Sequence, residues 1–389
     1  MEILRSKKSR PPDRKKLILV AAETQFIARG YEHVTLEEIA DAVGIVPSAL
    51  YRHFSGRSEI LSEIVKQASE KIHEFFLATD FSDPEKALVE IAQFLLENKS
   101  FGVIWGREVK HLPIEQRLLL HPIVREIESE IVIHVHQYRP DLDVLTCELV
   151  TASIFAVLLS PSFNHLKISR DRYVALLTKL SLKVLNSVIK LNLKIESDPQ
   201  DRSRLIPYSR REALLQEAIC LFSDRSYASV NIEDIGASLG ISGPSCYNHF
   251  SSKIQILETA FERGTSHLFL GVIESLRESK TPDEAIRALI ESYVHFGFSH
   301  PDLVDVLITE IRNLPEDVQK ATVFAQQSYI DEWVHLLCLI NKELDLITAR
   351  AQVQSLLSLV NDIVRTRHLR KAVNSREAVI DICKAVLDV

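Results

Sequence analysis

Apolar residues near the start of the chain recur every three or four positions, and polar residues fill the spaces between them. Leu19, Ala22 and Phe26 fall on one helical face, and Gly30 closes that helix. Thr35-Leu36-Glu37-Glu38 then reads as a capping box opening a second helix, whose apolar stripe is Leu36, Ile39, Ala40 and Val43. A turn around Gly44 follows, and Pro47 suits the first turn of a third helix, where its missing N–H costs nothing. That helix ends near Phe54, and Ser55-Gly56 breaks it before a longer fourth. Broader amphipathic helices occupy 83–193 and 282–389, opening at Asp83-Pro84 and Thr281-Pro282. Each of these regions ends in two helices with wide apolar faces, at about 144–160 with 170–193 and about 346–366 with 375–388. The pattern predicts an all-α fold.

The opening pattern occurs twice. Residues 14–61 align without a gap on 210–257, with 17 of 48 positions identical, including Phe26 with Phe222, Tyr31 with Tyr227 and Gly44 with Gly240. Glu-Val-Lys-His-Leu-Pro at 108–113 corresponds to Glu-Ile-Arg-Asn-Leu-Pro at 310–315, and Ser169-Arg170 to Ser375-Arg376, so the whole unit is duplicated. A repeat of this length is a copied domain and not a solenoid period. The polar stretch 196–209, with two prolines and no apolar periodicity, is the expected linker. The expected organisation is a basic arm at 1–12, a helix-turn-helix domain at 13–65, a helical domain at 66–195, the linker, a second helix-turn-helix domain at 210–262 and a second helical domain at 263–389.

Composition narrows the function. A length of 389 residues suits two or three domains, and abundant Leu, Ile, Val and Ala with few Gly or Pro agrees with helices. The longest nearly apolar run, at 149–159, is too short for a bilayer span and reads as a buried helix. The N-terminus lacks the apolar core of a secretory signal, so a cytoplasmic protein with no membrane partner is expected. Cys147, Cys220, Cys246, Cys338 and Cys383 show no C-x-x-C spacing, and His134 and His136 do not share a helical face, so neither zinc nor a disulfide framework is expected. No nucleophile triad, phosphate-binding glycine loop or carboxylate pair stands out, so neither an enzyme nor a cofactor is expected. The formal net charge of -7 gives no overall attraction to nucleic acid, so such binding must come from a local basic patch.

Helix, glycine turn and helix is the geometry that places a second, recognition helix in the major groove of DNA. In the first copy the groove candidates are Val46, Pro47, Ser48, Ala49 and Arg52, with Arg52 able to bond a guanine bidentately or a phosphate. In the second copy Asn231 caps with Asp234, and Ser242, Gly243, Pro244 and Ser245 open the recognition helix, with Asn248 able to pair with adenine. Arg5, Lys7, Lys8, Arg10, Arg14 and Lys15 form a basic arm ahead of the first domain, suited to phosphates or a minor groove.

These residues resemble the TetR family of bacterial transcriptional regulators. The first copy carries Thr35, Ile39-Ala40, Gly44-Ile45, Leu50-Tyr51-Arg52-His53-Phe54 and Arg57; the second is looser, with Asn231, Ile235-Gly236, Gly240-Ile241, Cys246-Tyr247-Asn248-His249-Phe250 and Lys253. The resemblance implies that Thr35, Tyr51, His53 and Arg57 touch backbone phosphates, as do Tyr247, His249 and Lys253, although Tyr51 and His53 also suit core packing, and Phe54 suits it better. It further implies effector helices that pair into a four-helix bundle, here within one chain. The chain is then expected to be a single-chain pseudo-dimer that binds an asymmetric double-stranded operator and is released as a repressor by a small apolar effector. The Glu-x-x-x-Leu-Pro segment also resembles members that sense acyl-CoA or sterol-derived ligands. Pocket candidates are Phe101, Trp105 and Phe155 in the first copy and Tyr293, Phe296 and Trp333 in the second. The alternative is a helical interaction scaffold or co-regulator whose second head no longer binds DNA.

Overall fold

The computed structural model describes residues 14–194 and 207–389. In chain order the first copy contains α1 (Arg14–Arg29), α2 (Leu36–Val43), α3 (Pro47–Leu50), α4 (Arg57–Ala78), α5 (Pro84–Glu97), α6 (Ser100–Val103), α7 (Ile114–Tyr138), α8 (Val144–Leu159) and α9 (Arg170–Leu185). The second contains α10 (Arg210–Arg225), α11 (Ile232–Ser238), α12 (Gly243–Cys246), α13 (Lys253–Glu278), α14 (Pro282–Ser299), α15 (Pro301–Thr309), α16 (Glu316–Ile340), α17 (Leu346–Arg365), α18 (Arg367–Lys371) and α19 (Ser375–Leu387). Among the described residues the only pairing outside helices and turns of strand type is an isolated bridge between Lys194 and Val373. Residues 14–77 with 103–124 form one compact unit, and 78–102 with 125–194 and 207–389 form a second.

In the first unit, the predicted apolar faces of α1, α2 and α3 meet. Ile18, Phe26, Ile39, Leu50, Phe54 and Ile60 are buried together, joined by Ile104 and Leu112 from beyond α6. Burying a side chain of this size contributes about 1.5–3 kcal/mol, which is how helices as short as α3 hold their shape. Both sides of the capping box form, with Glu38 N–H donating to Thr35 Oγ1 and Thr35 N–H to Glu38 Oε2. Gly44 adopts the left-handed turn at φ 71°, and Ile45 N–H donates to Ala40 O at 3.0 Å.

Gly30, which ends α1, has φ 87° and ψ 147°, a region that side chains avoid. Its counterpart Ser226 accepts φ 71°, with its hydroxyl 3.2 Å from that of Ser229. Alanine has no hydroxyl to offset the strain, so Gly30→Ala should lower the stability of the first unit by about 1–3 kcal/mol. Chemical denaturation followed by circular dichroism checks this, and an unchanged midpoint would mean that the backbone relaxes without cost.

In the second unit, α10 to α12 and the start of α13 repeat the head on a core of Leu215, Phe222, Ile235, Cys246, Phe250 and Leu257. On α15, Asp305 accepts a hydrogen bond from Ser223 on α10 at 3.2 Å and pairs with Arg365 at the end of α17 at 2.7 Å. Helices from both copies pack within this unit, α8 and α9 against α17 and α19. The Ser160 and Ser355 hydroxyls meet at 2.9 Å in that buried seam. Lys183 on α9 donates to Val386 O at 2.9 Å and to Asp388 at 2.7 Å, while Arg172 pairs with Asp345.

The apolar run at 149–159 extends further than the sequence reading gave it. Val144–Phe163 is long and apolar enough to cross a membrane, but 67% of its apolar 18-residue stretch is buried inside the fold. The helix expected over 170–193 ends at Leu185. Asn186 turns its side-chain Nδ2–H onto Leu182 O at 2.9 Å, and the chain runs back so that Leu193 N–H reaches Thr146 Oγ1 at 2.8 Å.

Candidate nucleic-acid interface

The α2–turn–α3 segment of the first copy presents Val46, Ser48, Tyr51, Arg52 and His53 to solvent, with Pro47 and Ala49 half-buried. Leu50 and Phe54 face inward, at 0% and 2% exposure, and fix the orientation of the others. Backbone bonds carry the helical turn past α3, with His53 N–H on Leu50 O at 2.9 Å and Phe54 N–H on the same carbonyl at 3.1 Å. Tyr51 is 55% exposed, so neither it nor His53 takes up the core-packing alternative, whereas Phe54 does. Among the described residues, no hydrogen bond, ion pair or ring contact engages the side chains of Tyr51, Arg52 or His53.

The second head repeats this arrangement with different chemistry. Ser242, Pro244, Tyr247 and Asn248 are exposed, Gly243, Ser245 and His249 are half-buried, and Cys246 and Phe250 are the inward anchors. Ser242 and Ser245 share a hydroxyl contact of 2.8 Å. Asn231 Oδ1 accepts Asp234 N–H at 2.8 Å, and Asn231 N–H reaches Asp234 Oδ2 at 2.9 Å. The side chains of Tyr247, Asn248 and His249 are likewise unengaged among the described residues. Each head thus presents three consecutive side chains whose donors and acceptors are unengaged among the described residues.

Arg57 and Lys253, which the resemblance assigns to phosphates, here bond to backbone carbonyls of their own heads. Arg57 Nη1 donates to Tyr31 O at 3.1 Å and Val34 O at 2.6 Å, with its guanidinium 5.0 Å from the Tyr31 ring centroid. Lys253 Nζ donates to Tyr227 O and Val230 O, each at 2.8 Å, with the Tyr227 ring 4.1 Å away. The loop before α2 or α11 leaves carbonyls without helical partners, and the cation satisfies them. Burial raises the Tyr31 hydroxyl above its ordinary pKa, and Arg57 partly offsets this. Arg57→Met keeps the stem and removes these bonds, so the melting temperature should drop, corresponding to about 1–3 kcal/mol. The salt dependence of DNA binding should stay as in the unchanged chain; a shallower salt slope would return Arg57 to the phosphates.

Thr35 is exposed while serving as the cap of α2, so its hydroxyl proton remains available. Glu38 is held below the usual carboxylate range, first by the Thr35 N–H and then by Arg29. A depressed carboxylate supports the fold above its unfolded pKa, and that support is lost as pH falls through the folded value. Lys15 lies 5.5 Å from the Phe54 ring centroid and 3.5 Å from Glu63, and Arg211 lies 4.2 Å from the Phe250 ring, so each head has a cation over its inward phenylalanine. Arg14 is exposed, whereas Arg5, Lys7, Lys8 and Arg10 lie outside the described residues.

The Glu-x-x-x-Leu-Pro segment meets the heads. Glu108, 2% exposed, accepts the Tyr31 N–H at 2.9 Å, and His111 stacks on the Tyr31 ring at 5.7 Å. Its counterpart Glu310 is fully buried and accepts from Asn313 at 2.8 Å.

A separate cavity in the second unit is lined by residues of α5, α7, α8 and α9 of the first copy, including Ala87, Ile131, Thr151 and Phe155. Its non-atom space is about 550 Å³ including open solvent, of which about 60 Å³ is room for the centres of water-sized molecules. Of the pocket candidates, Phe155 lines it and Phe101 does not. Trp105 packs instead against the core of the first unit. Tyr293, Phe296 and Trp333 are buried at 8%, 3% and 0% exposure as core of the second copy. Phe155 alone among the candidates marks the cavity, because its other walls are mainly aliphatic.

Both heads match the model of the bacterial regulatory proteins, tetR family, at residues 18–64 and 214–260. The chain therefore carries two TetR-family units in tandem. It is similar to the HTH-type transcriptional activator FasR of Mycolicibacterium smegmatis (strain ATCC 700084 / mc(2)155), 33% identical over 24% of this chain and 43% of that protein. It is also similar to the HTH-type transcriptional repressor KstR2 of the same organism, 36% identical over 21% of this chain and 40% of that protein. The chain thus spans about two-fifths of the length of these curated relatives. A solved TetR-family transcriptional regulator from Bordetella parapertussis 12822 is similar at 19% identity, covering 47% of this chain and 96% of that one, with a TM-score of 0.44.

Proposed function

We propose that the chain is a sequence-specific transcriptional repressor of the bacterial cytoplasm that holds two different DNA-reading heads in one polypeptide and leaves its operator when a small apolar ligand binds. The observation that carries this reading is the pair of triplets unengaged among the described residues, Tyr51-Arg52-His53 and Tyr247-Asn248-His249, at the same place on two heads, all exposed but the half-buried His249. Tyrosine and histidine suit phosphates, while arginine and asparagine suit different bases, guanine and adenine. The operator is then asymmetric, with half-site centres about one helical turn or somewhat more apart. Packing of α8 and α9 on α17 and α19 supports a pseudo-dimer formed within the chain, with the domain boundaries read from the sequence. For a ligand to release DNA it must bind more tightly to the head arrangement that does not fit the operator.

The test is binding of the full chain to the DNA upstream of its own gene across a range of salt concentrations, with a footprint. Protection of one bounded site, and affinity for it about 10³-fold or more above random DNA, are expected. Weak binding indifferent to sequence would sink the reading.

A further inference from the structure

The two effector domains are copies, but their cores have diverged in a way that separates their tasks. α7 and α16 are both 25 residues long, and the register that places Glu108 on Glu310 and Asp143 on Asp345 runs through them without a gap. In that register Ile131, a cavity wall in the first copy, becomes Trp333, and Thr151 becomes Val353. Trp333 is completely buried, with the rings of Tyr293 and Tyr329 each 6.1 Å away. Tyr293 is tied in turn to Asn361 by a 2.8 Å hydrogen bond. An indole between two tyrosines thus stands where the first copy has a sec-butyl group.

The cavity has its own chemistry. Its lining holds no Asp, Glu, Lys or Arg, so a buried ion would have no countercharge. Thr151, 3% exposed on α8, lines it, and its Oγ1 has no hydrogen-bond partner among the described residues. A buried hydroxyl without a partner in an otherwise apolar cavity is a place for one polar atom of a ligand. His134 and Tyr138 also line it, His134 stacked on Phe81 at 4.4 Å and the Tyr138 hydroxyl reaching Asn186 at 3.3 Å.

We infer that the first copy alone is the sensor: each chain takes one neutral, compact, mostly apolar molecule with a single hydrogen-bonding group placed against Thr151, while Trp333 closes the equivalent space in the second copy. This deepens the ligand-response reading above and rests on it for its consequence, not for the site. The copies are then regulated asymmetrically, with the binding event reaching the second head through α8, α17 and α15.

The probe is N-phenyl-1-naphthylamine, neutral, with one N–H, titrated into the full chain and followed by its fluorescence. One equivalent per chain is expected. Ile131→Trp, which copies the second unit's plug, should weaken binding at least tenfold, and Thr151→Val, of nearly equal shape, about two- to tenfold with no loss of melting temperature. If Ile131→Trp does not fold, Thr151→Val decides. Two equivalents, no saturable binding, or affinity unchanged in the folded variants overturns the inference. DNA binding is measured in parallel. Probe bound once at this site without any change in DNA affinity supports the site and defeats release by ligand; specific DNA binding with no probe bound leaves the regulator standing and removes the site.

Discussion

Alanine in place of Arg52 is expected to weaken operator binding by about 1–3 kcal/mol, about 5- to 150-fold, and to erase protection over one half of the footprint. Asn248→Ala should do the same to the other half. The reason lies in the placement of the two side chains: each follows an exposed tyrosine, sits one turn beyond the start of a recognition helix, and has no internal partner among the described residues. Neither substitution removes a buried group, so melting temperatures should stay within the small range of surface changes. Salt separates base reading from phosphate contact. A guanine-bonded Arg52 loses its discrimination at one base pair when changed, whereas a phosphate-bonded one weakens all sequences alike and lowers the salt slope by about 1. An unchanged footprint with Asn248→Ala would make the second head a scaffold.

Local rules made the heads legible in the sequence. Thr35 with Glu38, and Asn231 with Asp234, are short-range reciprocal caps that need no tertiary information, and Gly44 and Gly240 mark left-handed turns that few other residues adopt. The duplication was equally plain, because identical residues recur at buried positions such as Phe26 and Phe222. What the sequence concealed depends on contacts distant along the chain. Arg57 follows the recognition helix like a phosphate ligand, and only the fold brings it beneath the Tyr31 and Val34 carbonyls. Aromatic residues drew attention as pocket candidates, yet Tyr293 and Trp333 fill space, while the walls of the cavity are largely aliphatic residues that resemble any helix core. Helical periodicity continued to residue 193, but Asn186 ended α9 at Leu185 by capping it with its own side chain.

Phe26→Ala and Phe222→Ala should be of similar size chemically and different in effect. Each phenyl ring is fully buried, so truncation leaves a cavity costing about 3–5 kcal/mol. Phe26 belongs to the smaller compact unit, in which the first head packs with 103–124, and a loss of that size corresponds to a drop of the order of 20 °C for a domain of such length. Calorimetry of Phe26→Ala should therefore show a separate early transition, with the remaining heat absorbed near the original temperature. Phe222 belongs to the unit that also holds the paired helices of both copies, where Ser223 and Asp305 link α10 to α15 and Arg365 links α15 to α17. A larger cooperative unit dilutes the same free energy over more enthalpy, so its transition should move by only about 2–4 °C for each kcal/mol lost. If Phe222→Ala instead melts early and separately, the second head folds independently of the helices it is bonded to. The Ser223–Asp305–Arg365 contacts would then be too weak to carry a ligand signal from the paired helices to the DNA.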